Sequence, residues 1–263
     1  MDGFNIRTLP DTVEGISRQR LSAVAHTAKH QLAGVGFDAR RIAQVNTVGD
    51  GWCGYYLMAL LYYLARGEAI SAAQVRLGVR DLVRRTLPAK QAAAIAALPA
   101  HQLEVCEASV FLRNLGLNVL TVFSSDLPVA PGSRRTRRVY NASVGNYSPQ
   151  NPGAWVIMML SNNAGHYELW SRRVDGGALS AWWSGDEAAH IAFAFGLDDP
   201  RESAVDSWQE VSFLPAMELI ELRGGGDDDE DDDEDDDEDD DDRDVIELDD
   251  DDDDEWREVI DLT

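Results

Sequence analysis

Cysteine is scarce in this 263-residue chain, which contains only Cys53 and Cys106. Two cysteines are too few for the disulfide framework of a small secreted scaffold. The longest apolar run, residues 54–64, is shorter than the ~20 residues that a membrane-spanning helix needs. The N-terminal sequence, MDGFNIRTLPDTVEG, lacks the basic stretch and apolar core of a signal peptide. We therefore expect an intracellular protein with reduced thiols, in the nucleus or cytoplasm and without membrane contact.

Cofactor motifs are missing as well. The sequence contains no zinc-ligand spacing, no phosphate-binding loop and no dinucleotide fingerprint, so we expect no metal and no cofactor. We expect no nucleic-acid partner either. The basic cluster SRRTRR, residues 133–138, is typical of a solvated loop or of one that folds onto an acidic segment. Nuclear import and contact with a partner protein are the alternative roles for this cluster.

Negative charge is concentrated at the C-terminus. Residues 223–263 contain 27 acidic residues and three arginines, a net charge of −24, whereas residues 1–222 carry a net charge of −1. Runs of like charge repel one another and offer little apolar surface for a core. The sequence therefore predicts a folded domain over 1–222 and a disordered acidic tail over 223–263.

Apolar spacing predicts helices in the first part of the folded domain and strands in the second. The helix over 54–66 is apolar on nearly every side, which is typical of a buried central helix. The order, helices before strands, indicates an α+β fold in which helices pack on a small mixed β-sheet. The predicted helices are 14–33, 54–66, 72–86, 88–98 and 102–115, and the predicted strands are 118–124, 154–160, 166–172 and 210–223, with a long loop over 125–153 that holds a short strand near 139–141.

The stretch GDGWCGYYLMALLYYL, residues 49–64, sets Cys53 at the start of the buried helix. The free N–H groups of a helix N-terminus stabilise an anion, so this position favours the thiolate form that attacks a carbonyl carbon. Gly49 and Gly51 allow a tight turn that directs backbone N–H groups inward, where they could form an oxyanion hole. The alternative is a buried structural cysteine, which is common in cores. Cys106, inside a predicted helix with apolar neighbours, is interpreted as such a core residue.

A thiol nucleophile needs a base, and His166 is the histidine best placed to act as one. It stands where a turn meets a predicted strand. Strand alternation places Glu168 on the same face, so its carboxylate could orient the imidazole. Spacing alone leaves open a histidine that is merely hydrogen-bonded at a strand end. The remaining histidines, at positions 26, 30, 101 and 190, lie on a predicted helix face, in a polar linker or in a solvated segment.

Three blocks of the sequence resemble the ovarian-tumour-domain (OTU) family of cysteine proteases. Asp50-Gly51-Trp52-Cys53 before an apolar helix is similar to the family's nucleophile motif, Asp-Gly-x-Cys. HQLEVCEASVFLRNLGLNVLTVFS (101–124) resembles the next block, a helix with a small residue followed by a strand. AWVIMMLSNNAGHYELW (154–170) resembles the last block, an apolar strand, a turn and His-Tyr. The likeness covers about residues 44–172 and implies a papain-like OTU fold.

The resemblance implies an isopeptidase that removes ubiquitin or a ubiquitin-like modifier. It makes Cys53 the nucleophile and His166 the general base, and it assigns Asp50 to the loop that forms the oxyanion hole. Glu168 departs from the Asn or Asp that the family often has two residues after the histidine. The third catalytic residue could therefore also be Asn162, Asn163 or an aspartate elsewhere.

The same resemblance implies that Gly51, Trp52 and Tyr167 border the oxyanion hole and the substrate groove. Smaller residues are common in the family at the position of Trp52, and we expect its ring to line the groove that admits the modifier's extended C-terminus. The alternative for Trp52 is a surface tryptophan that covers the start of the helix.

Two short apolar islands with the pattern Val-Ile-acid-Leu interrupt the acidic tail. They consist of Val245, Ile246 and Leu248 and of Val259, Ile260 and Leu262. Such a peptide can add a strand to an exposed sheet edge, with its flanking carboxylates steering it to a basic rim. Both islands resemble the SUMO-interacting motif, and two copies gain affinity for SUMO chains through effective concentration. The alternatives are a chance aliphatic cluster and a tail that occupies the protein's own basic groove.

Taken together, the sequence predicts a thiol-dependent deubiquitinase that its tail recruits to SUMO-bearing substrates. Two alternatives use the same chemistry: a deSUMOylating protease, and a viral or bacterial protease that processes a polyprotein. A third belongs to another class, a catalytically weak decoy that only binds ubiquitin or SUMO.

Overall fold

The computed structural model describes residues 3–18, 21–96, 103–130, 134–148, 151–162 and 164–203. The helices are α1 (His26–Gly34), α2 (Cys53–Arg66), α3 (Ala72–Thr86), α4 (Ala89–Ala96), α5 (Val105–Asn114), α6 (Gly185–Ala194) and α7 (Pro200–Ser203). The strands are β1 (Ile42–Asn46), β2 (Asn118–Pro128), β3 (Thr136–Asn146), β4 (Trp155–Ser161), β5 (His166–Arg173) and β6 (Leu179–Ser180). The predicted tail, its two apolar islands and the predicted strand over 210–223 lie outside the described residues.

The strands form one mixed sheet in the order β1-β5-β4-β2-β3, with β6 also paired to β5. β2 and β4 run parallel, and the other pairs are antiparallel. Two parallel strands need a connection that returns the chain to the end of the sheet where the first strand began. β3, which runs antiparallel to β2, makes that return before β4 begins. The predicted class, α+β with helices on a mixed sheet, is confirmed.

Helices cover both faces of this sheet. Alternate residues of β4 point into two separate cores: Val156 and Met158 into one, Trp155 and Ile157 into the other. α2, α3 and α5 contribute their buried residues to the first core, and α1 and α6 contribute theirs to the second. A strand with both faces buried is apolar at every position, which explains the continuous run in β4.

α2 is the helix around which the first core is built. Nine of its fourteen residues are buried, among them Leu57, Met58, Leu60 and Leu61. It ends at Gly67, which adopts the left-handed conformation with φ 78° that favours glycine. The predicted central helix is confirmed, and it begins at the cysteine itself.

Two predicted elements are wrong. The helix predicted over 14–33 begins only at α1, because the preceding residues pair beside β1 instead: Ile16 bridges Thr47 and Ser22 bridges Gln44. The predicted long loop over 125–153 is largely the β2–β3 hairpin. As an edge strand, β3 has only its last residue buried and therefore lacks the apolar signature of a buried strand.

The SRRTRR cluster ends within β3, because Thr136–Arg138 are the first residues of that strand. Its last arginine, Arg138, donates two hydrogen bonds to Asp126 on β2, at 2.9 and 3.0 Å. Opposite charges facing each other across an antiparallel pair stabilise its register.

In the described ranges, no helix is both long enough and apolar enough to cross a membrane.

We predict that Gly54→Ala destabilises the fold by about 1–3 kcal/mol because a Cβ at this position would overpack the core. That atom would lie 2.8 Å from Leu103 Cβ and 3.2 Å from Tyr167 Cδ2. Gly34→Ala, at the end of α1, is the matched control, because a Cβ there has no neighbour within 4 Å. Urea unfolding measures both variants. Equal free energies of unfolding for the two would contradict the tight packing at Gly54.

Candidate active site

Cys53 is the first residue of α2, and it is buried. Its thiol donates a weak hydrogen bond to the carbonyl oxygen of Gly165, with Sγ and O 3.6 Å apart. The backbone N–H groups of Tyr167 and Gly54 are directed at the sulfur and lower the pKa of the thiol. The sulfur therefore lies against the start of β5, in contact with the residues on both sides of His166.

His166 begins β5, and its side chain is 24% exposed. Gly165, with φ 59°, makes the turn that leads into the strand. Burial lowers the pKa of the imidazole, so the ring is neutral at neutral pH. A neutral imidazole has one nitrogen free to accept a proton, which is what a general base requires.

Glu168 lies beside His166, with Oε1 3.9 Å from Nε2. The two residues are on the same face of β5, as strand alternation predicts. The other carboxylate oxygen, Oε2, accepts a hydrogen bond from Gln44 Nε2 at 2.5 Å. Burial raises the pKa of Glu168, and the hydrogen bond from Gln44 opposes that rise. The carboxylate therefore faces Nε2, and Nδ1 is the ring nitrogen left to accept a proton.

Asp50 shapes the loop before the cysteine rather than touching the imidazole. Its Oδ1 accepts the Trp52 N–H at 2.9 Å, and its Oδ2 accepts the Tyr56 hydroxyl at 2.8 Å. The Trp52 N–H lowers the pKa of Asp50, and the carboxylate raises the pKa of Tyr56 to about 12. Gly51, with φ 87°, occupies the left-handed conformation that this tight loop requires.

These bonds narrow the set of possible oxyanion donors. The Trp52 N–H is committed to Asp50, and the Tyr56 N–H donates to the Trp52 carbonyl at 3.0 Å. The first N–H groups of a helix have no intrahelical acceptor. Trp52 and Tyr56 are thereby removed from the candidate donors, and among the N–H groups left at the start of α2 those of Cys53 and Gly54 lie next to the sulfur.

Trp52 and Tyr167 occupy different surroundings. The ring of Trp52 is half-buried, 5.5 Å from the Tyr55 ring and 5.1 Å from the Arg76 guanidinium of α3. Tyr167 is buried, and its hydroxyl donates to the Leu103 carbonyl at 2.8 Å. The Tyr167 ring belongs to the core, so what this residue offers to the thiol is its backbone N–H.

The electrostatics of the thiol correct one expectation. The helix N-terminus was expected to favour the thiolate, but burial raises the pKa of Cys53 above its ordinary value. Burial outweighs the N–H groups directed at the sulfur, and the charge of Asp50 adds to the rise. The resting pair is therefore a neutral thiol and a neutral imidazole, an arrangement in which the base must remove the proton as the sulfur attacks.

The remaining candidates lie elsewhere. His26 and His30 contact each other on the exposed side of α1, with their Nε2 atoms 3.2 Å apart. His190 is exposed on α6, and His101 and Asn163 lie outside the described residues. Asn162 donates from Nδ2 to Ser125 Oγ at 2.8 Å, on the β2 side of the turn.

Cys106 lies in α5 and is half-buried, and burial raises the pKa of its thiol.

Gln44 was not among the sequence candidates. The signal for it in the sequence was a polar residue inside the strand IAQVN, on the face that positions 42, 44 and 46 share.

Comparison of the chain with protein-family models, with curated proteins and with solved structures finds no match. The functional assignment therefore depends on the motif and on the geometry at the start of β5.

We predict that Asp50→Asn raises the reactivity of Cys53 at neutral pH. The amide oxygen still accepts the Trp52 N–H, whereas removal of the negative charge lowers the pKa of the thiol. Asp50→Ala is the matched comparison, because it removes both the charge and the loop contacts. The measurement is the rate of iodoacetamide alkylation at Cys53, followed by peptide mass spectrometry. A slower rate in Asp50→Asn than in the wild type would contradict this electrostatic account.

Proposed function

We propose that this protein is a cysteine isopeptidase with a papain-like OTU fold that removes ubiquitin from modified proteins. The observation that supports it most directly is the contact of Cys53 Sγ with the backbone on both sides of His166, whose ring faces Glu168. A nucleophile, a base and a carboxylate that orients the base are the three parts of such a site. The Asp-Gly-x-Cys motif adds the resemblance from which the modifier is inferred.

The reaction begins when His166 accepts the thiol proton. With Nε2 turned to Glu168, the ring uses Nδ1 as the base, and Cys53 Sγ attacks the carbonyl carbon of the isopeptide bond. The backbone N–H groups of Cys53 and Gly54 stabilise the oxyanion of the tetrahedral intermediate. As this intermediate collapses, the imidazolium gives its proton to the lysine amine, which leaves.

The second half of the reaction releases the modifier. A thioester now joins Cys53 to the C-terminus of the modifier, and His166 accepts a proton from the attacking water. The new tetrahedral intermediate breaks its C–S bond, which frees the modifier as a carboxylic acid and returns the proton to the sulfur. In both halves the ionised Glu168 stabilises the imidazolium that forms.

The test is cleavage of ubiquitin and SUMO substrates that carry a fluorogenic leaving group. We predict that Cys53→Ala and His166→Ala each lower kcat/KM on the ubiquitin substrate by at least about 10⁴-fold. Cys106→Ala is the control and retains full activity. Cleavage that survives in Cys53→Ala would contradict the site, and preference for the SUMO substrate would make the protein a deSUMOylase.

The neutral resting pair predicts a particular pH dependence. His166 must be unprotonated to act as a base, so kcat/KM rises as pH increases through its pKa, which burial holds below the ordinary ~6.5. Because burial raises the pKa of Cys53, the plateau extends past pH ~8.5, where an ordinary thiol ionises. The measurement is kcat/KM over about pH 4 to 10. An acid limb near pH 4 would instead indicate a preformed thiolate, as in papain-like sites with thiol pKa values of about 3–4.

The proposed recruitment by the tail has its own test. We predict that alanine at Ile246, Leu248, Ile260 and Leu262 in the full-length protein abolishes SUMO-chain binding, because the aliphatic side chains that fill the partner's pockets are lost. Cleavage of mixed SUMO–ubiquitin chains then slows, whereas cleavage of diubiquitin stays unchanged. Equal loss on both substrates would assign the tail to catalysis rather than to recruitment.

A further inference from the structure

We propose that Gln44 is a positioning residue that aims the Glu168 carboxylate at His166 and keeps it ionised. This inference deepens the proposed function and rests on it. Gln44 lies on β1, next to β5 in the sheet, and its Nε2 donates to Glu168 Oε2 at 2.5 Å. Oε1 is thereby left facing His166 Nε2. One amide thus fixes which carboxylate oxygen the imidazole meets.

The need for such a donor follows from burial. Glu168 is only 8% exposed, and a buried carboxylate favours its neutral form unless hydrogen bonds stabilise the charge. A protonated Glu168 could not stabilise the imidazolium that forms when the thiol loses its proton. In the described part of the chain, Gln44 provides the side-chain hydrogen bond that lowers the pKa of this carboxyl group.

The other polar groups near Glu168 contribute less. Arg138 on β3 lowers the pKa of Glu168 at longer range, but its guanidinium is bound by two hydrogen bonds to Asp126. Burial, and to a smaller extent the charge of Glu168, raises the pKa of Tyr140 on β3, so this phenol is neutral at neutral pH. Among the described residues, His166, the group to be oriented, also lies beside this carboxyl group.

The sheet fixes the backbone of Gln44 beside β5. Its backbone N–H and C=O each pair with Ser22, both at 3.0 Å, along one edge of β1. Along the other edge, Gln44 is in register with Trp170 of β5. Its backbone is therefore fixed on both sides, and its side chain reaches Glu168 from a defined position in the sheet.

The experiment compares Gln44→Leu and Gln44→Glu with Ser22→Ala in the full-length protein. Gln44→Leu removes the donor at similar size, and Gln44→Glu keeps the shape but sets a second carboxyl group against Glu168, which raises the pKa of the pair. Ser22→Ala is the matched control, because it removes the 2.7 Å hydrogen bond from Asn46 of the same strand and leaves the Gln44–Glu168 hydrogen bond in place. Thermal unfolding establishes that each variant is folded.

Two readouts are followed across pH: kcat/KM on the ubiquitin substrate, and iodoacetamide alkylation of Cys53, which needs no modifier. We expect both Gln44 variants to lose about tenfold in kcat/KM at neutral pH, the typical effect of removing a hydrogen bond to a charged group, with KM little changed. Alkylation slows in parallel, because the thiolate–imidazolium pair is less stable. The acid limb of both profiles moves to higher pH, furthest in Gln44→Glu, whereas Ser22→Ala follows the wild type.

A purely structural role for Gln44 would lower the unfolding temperature and leave the acid limb where it is, and that result would overturn the inference. Profiles of either folded Gln44 variant that match the wild type would also overturn it. If the wild type cleaves no ubiquitin or SUMO substrate, the proposed function fails instead. The alkylation profiles then still decide whether Gln44 controls the Cys53–His166 pair.

Discussion

Burial of α2 against β5 determines where Cys53 lies. The apolar length of this helix fills the first core, so its N-terminal end is pressed onto the start of the neighbouring strand. Gly54 has no Cβ and thus allows Leu103 and Tyr167 to approach closely. Thr47 completes the arrangement, because its hydroxyl donates to the Tyr167 carbonyl at 2.6 Å and ties the end of β1 to β5. The positions of the sulfur and of His166 are therefore consequences of core packing.

The same burial defines the chemistry that the site can support. Removing the thiol, the imidazole and the Glu168 carboxylate from water favours the neutral form of each. The thiol and the imidazole therefore carry no charge at rest and become charged only during the reaction, when the fixed N–H groups and the ionised Glu168 carboxylate are already in place. Asp50, by contrast, is exposed, and its two hydrogen bonds hold the loop before Cys53.

The sequence was sufficient for features that depend on local pattern. The central helix, the strand carrying His166 and the shared face of His166 and Glu168 follow from periodicity alone. Features that depend on pairing between distant segments could not be read in this way. β3 is exposed at the sheet edge and lacks apolar alternation, and Gln44 meets Glu168 only because β1 and β5, 124 residues apart at this contact, lie side by side. The raised pKa of Cys53 likewise depends on burial, which a helix N-terminus in the sequence does not reveal.

The central claim, that Cys53 is the nucleophile of a ubiquitin isopeptidase, is tested most directly with ubiquitin that carries a C-terminal electrophile. The full-length protein is incubated with this probe, or with the corresponding SUMO probe, and the products are measured by intact mass. The account predicts a single covalent ubiquitin adduct in the wild type and in Cys106→Ala, and no adduct in Cys53→Ala. An adduct that persists in Cys53→Ala, or no adduct in the wild type with either probe, would contradict it.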